Sequence, residues 1–150
     1  MTRRSKKSLA TLAKVKRDEE DVAAQKLRVA LDRLDAEVER LDAVGRYADD
    51  YRGHGTVEHA HWRNVLDSRR FLLQLELTIE AQRAAVERER RNVETARAHW
   101  LALRLERAAV DKLIDRRAEA ARHEERRSEQ RQSDEQAARA NLRLSEESGA

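Results

Sequence analysis

Residues 72–114 read LLQLELTIEAQRAAVERERRNVETARAHWLALRLERAAVDKLI. Within that stretch Leu72, Leu75, Ile79, Gln82, Val86, Glu89, Val93, Ala96, Trp100, Leu103, Arg107, Val110 and Ile114 follow one another at alternating steps of three and four. This is the a/d seam of a coiled coil, sustained for about six heptads and interrupted by three polar members. A strand cannot produce the spacing, because its side chains alternate with a period of two. The stretch predicts one long α-helix.

Upstream, Leu27, Leu31, Leu34, Val38 and Leu41 keep the same alternation, and Leu9, Leu12 and Val15 give a rougher stripe. Gln82 and Glu89 in one helix, with Glu20 and Lys16 or Arg17 in the other, weaken the middle of the seam. Such polar positions fix register at some cost in stability. Between the halves, Tyr51-Arg52-Gly53-His54-Gly55-Thr56 holds two of the four glycines and marks the sharp reversal. Thr56 is a candidate N-cap for the second helix, with Glu58 in its first turn. Gly45 is a second candidate end for helix one. Ala48 continues the seam beyond it, so the helix is expected to pass through at a cost of ~1 kcal/mol relative to alanine. The fold expected is all-α: an antiparallel coiled-coil hairpin with helix one at about 8–52, a turn at 53–56, a longer helix two at about 57–144, and flexible termini.

Folding back at the glycines sets paired residue numbers adding to about 110, so Leu31 would meet Ile79, Leu34 Leu75, Val38 Leu72 and Ala10 Trp100. That register runs out near residue 101 and leaves helix two alone for ~40 residues, roughly 60 Å at 1.5 Å per residue. From Asp115 to Ser148 the only large aliphatic residues are Leu142 and Leu144. Pairs such as Glu119/Arg122, Glu124/Arg127 and Glu135/Arg139 can support a solvated helix by a few tenths of a kcal/mol each. A helix so polar frays or is held by a partner, and Ser145 to Ala150 are expected to be disordered.

Composition agrees with an extended assembly. Charged residues make up 41% of the 150, aromatics only 3%, and proline is absent, so a globular core has too few bulky apolar side chains. Ala, Glu, Arg and Leu, all good helix formers, dominate. The lack of cysteine removes disulfides and thiolate chemistry. The basic N-terminal segment has no apolar core of the signal-peptide kind, and no stretch approaches a membrane span. A soluble, intracellular protein is expected. The net charge of +3 is too small to set up a strong single-signed field.

Catalysis finds no support in the motifs. His54, His59 and His61 cluster near the turn beside Asp49 and Asp50, but His59 and His61 are two apart and would point to different helix faces. No glycine-rich phosphate loop exists, and a two-helix hairpin offers no water-excluding pocket. No metal, cofactor or enzymatic activity is expected. The run Arg3, Arg4, Lys6, Lys7, Lys14, Lys16, Arg17 precedes the first acid, Asp18. It could touch nucleic acid, anionic lipid or an acidic protein surface. Later arginines are interspersed with acids, and no aromatic residues interleave to stack bases, so nucleic-acid binding is not expected.

Between Trp62 and Ile79 the chain carries more apolar residues than a seam needs. Val65, Leu72, Leu75 and Ile79 fill one stripe, yet Trp62, Leu66, Phe71, Leu73 and Leu77 cover other faces. The excess either marks a partner site or packs locally against Tyr47, Tyr51 and the loop.

These residues resemble the FliJ family of flagellar export proteins. The resemblance runs in order through most of the chain: Tyr47 and Tyr51-Arg52 before the turn, Trp62, Phe71 with Leu75, Ile79-Glu80-x-Gln82-Arg83, Trp100, Asp115-Arg116, and a charged run ending Ser133-Asp134-Glu135. It implies a two-helix stalk, similar in shape to the central stalk of rotary ATPases and to the stalk proteins of virulence type III secretion systems. Its paired end would enter the pore of a hexameric export ATPase. Its apolar patch would engage the cytoplasmic domain of the export-gate membrane protein, and it would escort export chaperones. The resemblance carries gate contact to Phe71 and Leu75. Thr78 and Gln82 continue their stripe, although their polarity departs from an apolar contact. It implies a cytoplasmic protein, peripheral at the inner face of the cell membrane through the export apparatus. Two other readings stand beside it: a structural coiled coil that associates with itself, and a basic helical nucleic-acid binder.

Overall fold

In the computed structural model, which describes residues 2–54 and 62–149, the chain forms two helices, α1 (Arg3–His54) and α2 (Trp62–Ser148). Good helix formers and the absence of proline let each run without a break. Gly45 lies inside α1 with ordinary negative φ, so the helix continues through it. Gly53 is helical as well, so the reversal does not begin there. Gly55, Thr56 with its capping role, Glu58, His59 and His61 lie outside the described residues. At the other end α2 continues to Ser148, through most of the segment expected to be disordered. Extending an existing helix by a residue costs far less than nucleating one.

Contacts divide the chain into two units: a central one, Asp18–Arg104, and a terminal one, Met1–Arg17 with Leu105–Ala150. In each, a segment of α1 packs antiparallel on a segment of α2.

In the central unit Tyr51 faces Ser68 (hydroxyl to hydroxyl, 3.3 Å), and Gln82 donates its amide to the Glu37 backbone carbonyl (2.9 Å). Both pairs have residue numbers adding to 119. The register expected from the glycines, with numbers adding to about 110, is therefore displaced by about nine residues. Seam residues recur every three or four positions along both helices, so more than one alignment brings apolar positions together.

Ala23, Ala30, Ala48, Val86 and Val93 are buried here. Leu27, Leu31, Leu34, Val38, Leu41, Leu72, Leu75, Ile79, Ala96, Trp100 and Leu103 are half-buried. Small alanines on α1 let the helices approach closely, while a two-helix pair can shield only one side of each leucine. No large side chain among the described residues is fully buried.

In the terminal unit Lys16 pairs with Glu106 (2.9 Å) and Arg117 donates to the Ser5 hydroxyl (3.3 Å). Ala13 is buried, and Leu9, Lys16, Arg107, Val110, Ile114 and Ala121 are half-buried. Leu12 and Val15, expected on the inner stripe, are exposed. Stepping back from Leu27 by alternating threes and fours reaches Ala23, Glu20, Lys16, Ala13 and Leu9. Continuity of the helix overrides the larger side chains. Every described residue after Ala121 is exposed, so the uncovered part of α2 starts there and not near residue 101. Among its described residues Arg131 pairs with Glu124 (3.2 Å), worth at most a fraction of a kcal/mol on a solvated surface.

Candidate interaction surfaces

The excess apolar residues near the start of α2 separate into two faces. Phe71 turns toward α1, where its ring lies 4.7 Å from that of Tyr51 and 6.3 Å from Tyr47 in an edge-on contact. Such aromatic pairs contribute roughly 0.5–1.5 kcal/mol beyond the area they bury. Tyr51 keeps its polar tip satisfied through Ser68, and Arg52 reaches across to Glu76 (3.2 Å). Phe71 remains half-buried, so one edge of the ring is still open to solvent.

The other residues assigned to gate contact lie in different settings. Leu75 is half-buried. Thr78 is exposed, and its hydroxyl donates to the Gln74 carbonyl one turn earlier (2.9 Å). Gln82 is half-buried, and its amide is held by both the carbonyl and the carboxylate of Glu37. Glu37 also receives Arg40 at 2.8 Å. Gln82, named from the sequence both as a register-fixing seam position and as a gate contact, thus serves the pairing of α1 with α2, and its partner Glu37 is what the sequence did not supply. The signal available in the sequence was a polar residue at a seam position, with an acid near the facing seam on α1.

Leu66, Leu73 and Leu77 form the second face and stay exposed, together with Val65. The side chain of Trp62 lies outside the described residues. An open cleft in the same unit is lined by Leu41, Gly45, Ala48, Arg52, Glu76 and Ile79. A Cβ at Gly45 would meet nothing within 4 Å, so a small side chain there would point into open space.

Two cations of the basic run meet acids in the terminal unit. Lys16 is answered by Glu106, and Asp111 lies 4.0 Å from Arg17 and 3.7 Å from Arg107. The cations that continue the basic run toward Asp18 therefore face acids on α2, which breaks a track suited to a phosphate backbone. Among the described residues no group of three His, Cys, Asp or Glu side chains could hold a metal ion, and no helix is long and apolar enough to cross a membrane.

Residues 5–145 match the sequence model of the family described as flagellar FliJ protein. No curated protein and no solved structure matches the chain.

Proposed function

The chain belongs to the flagellar FliJ family, components of the flagellar export apparatus, and from that premise we propose that it works as a non-enzymatic stalk of that apparatus. The observation that carries the reading is the family match across nearly the whole chain, on a fold of two long helices that pack on each other. The stalk inserts into the ring of the hexameric export ATPase and contacts the cytoplasmic domain of the export-gate membrane protein. Export chaperones are its third class of partner. The protein acts in the cytoplasm, peripheral to the inner face of the membrane.

A helical pair suits the task physically. A ring whose subunits adopt different states makes different contacts with an asymmetric rod, and those differences can bias a distant gate without chemistry in the rod. The gate contact falls on the edge of α2 that carries Phe71, Leu75, Thr78 and Gln82. The open edge of Phe71 and the exposed Thr78 meet the partner there, while Gln82 holds the helix pair in register behind them. The pairing of Lys16 and Arg17 with acids on α2, and the acids interspersed among the later arginines, weigh against the nucleic-acid reading.

The test is the ATPase activity of the cognate export ATPase with and without the purified full chain. Stimulation that saturates near one chain per hexamer is expected. A well-folded chain that leaves the hexamer's rate unchanged and does not associate with it would sink the reading.

A further inference from the structure

Leu66, Leu73 and Leu77 belong to a second stripe on α2 that lies off the seam with α1, and its Glu80 borders the cleft beside Ile79. Continuing at steps of four and three, the stripe runs Leu66, Arg70, Leu73, Leu77, Glu80, Ala84. At roughly 100° per residue these six share one side of the helix, and Phe71, Leu75 and Gln82 lie on the other. All six are exposed, the leucines at 46%, 59% and 62%. Arg70 and Glu80 enter no ion pair among the described residues. One turn of apolar side chains followed by another, each flanked by a charge with no ion pair among the described residues, is an incomplete coiled-coil face.

The order along the stripe identifies what completes it. Read from either end about residue 75, an apolar residue comes first, then a charge, then a leucine, and the two charges have opposite sign. An antiparallel coiled coil sets a positions against d positions, and a two-fold axis presents the same patch on both partners. We propose that this stripe is a contact between two copies of the chain, packed antiparallel through α2 about a two-fold axis at residue 75. Leu73 then lies against the partner's Leu77, Arg70 against the partner's Glu80, and Leu66 against the partner's Ala84. Each contact occurs twice. The hairpins pack back to back, with α1 of each on the outside and the Phe71 edge left clear. The contact is short, so the dimer is a reversible one that forms as concentration rises.

The experiment is light scattering on the full chain across a concentration series. Mass should rise from 17.4 kDa toward twice that value. Arg70→Glu and Glu80→Arg each place like charges together at two points and should weaken dimerisation roughly tenfold or more. The double reversal R70E/E80R restores opposite signs and should restore the dimer. Both positions are exposed, so helicity measured alongside should not change. The chain has no cysteine, which allows a second readout. Leu73→Cys mixed with Leu77→Cys should form a mixed disulfide faster than either variant links to itself. A monomeric mass at every concentration overturns the proposal and leaves the stripe to a helix of another protein. Equal loss of the dimer in the single and double reversals, or a dimer that ignores both, overturns it too. A chain that stimulates the ATPase but never dimerises sinks this inference alone.

Discussion

Replacing Phe71 by alanine separates its packing role from its proposed contact role. A fully buried Phe→Ala change costs about 3–5 kcal/mol. Phe71 is half-buried, but its ring also meets Tyr51 at 4.7 Å and Tyr47 at 6.3 Å. Scaling the burial part by half and keeping the ring contacts gives a loss of about 2 kcal/mol. For a chain of this size that corresponds to a drop of roughly 4–8 °C in Tm. Urea and thermal unfolding followed by far-ultraviolet circular dichroism read the loss directly. Helicity at 25 °C should stay near wild type, because the helices themselves do not depend on this ring. Phe71→Leu, which keeps most of the apolar area, should recover about half of the deficit. Binding to the export gate, measured well below the melting range, should fall for Phe71→Ala. An unchanged unfolding midpoint would refute the packing argument. A collapse of helicity at 25 °C would instead make Phe71 a core residue of the whole pair, with no separable contact role.

Three further changes follow from the same geometry. Gly45→Ala should stabilise the protein by about 0.5–1 kcal/mol in urea unfolding, since α1 is helical there and the new Cβ meets open space; destabilisation would mean that the site is crowded or not helical. Gln82→Leu removes the amide that Glu37 accepts, while adding apolar area to the seam, so stability should change by less than about 1 kcal/mol as register loosens. Spin labels on exposed Arg33 and Glu87 should then report a second distance population absent from wild type, and a single unchanged distance would refute Gln82 as the lock. Deleting residues 123–150 removes only exposed described residues and should shift unfolding by less than about 0.5 kcal/mol; a loss several times larger would show that the extension packs on the rest of the chain.

Several features were legible in the residues alone. The helical state of both halves follows from three-four spacing and from the absence of proline. Their antiparallel return follows from two matching stripes on either side of a glycine pair. The surplus of apolar residues near residue 70 was visible too, but not its division. Phe71 faces Tyr47 and Tyr51, whereas Leu66, Leu73 and Leu77 face solvent. On a helix that sorting depends on which side the second helix occupies. Leu12 and Val15 misled for a related reason: side-chain size suggested an inner stripe, but helix phase carried over from Leu27 turned Ala13 and Lys16 inward.

The sequence by itself determined two helices and the rhythm of their seams, because both arise from local periodicity within each segment. Only tertiary structure decided the register. A seam that repeats every three or four residues offers apolar matches in more than one alignment, so the hydrophobic term distinguishes the alternatives weakly. Directional contacts do distinguish them. Tyr51 with Ser68 and Gln82 with Glu37 are satisfied in the observed alignment of the central unit and lost in the expected one. That choice fixed where the covered part of α2 ends and which α1 side chains Phe71 meets.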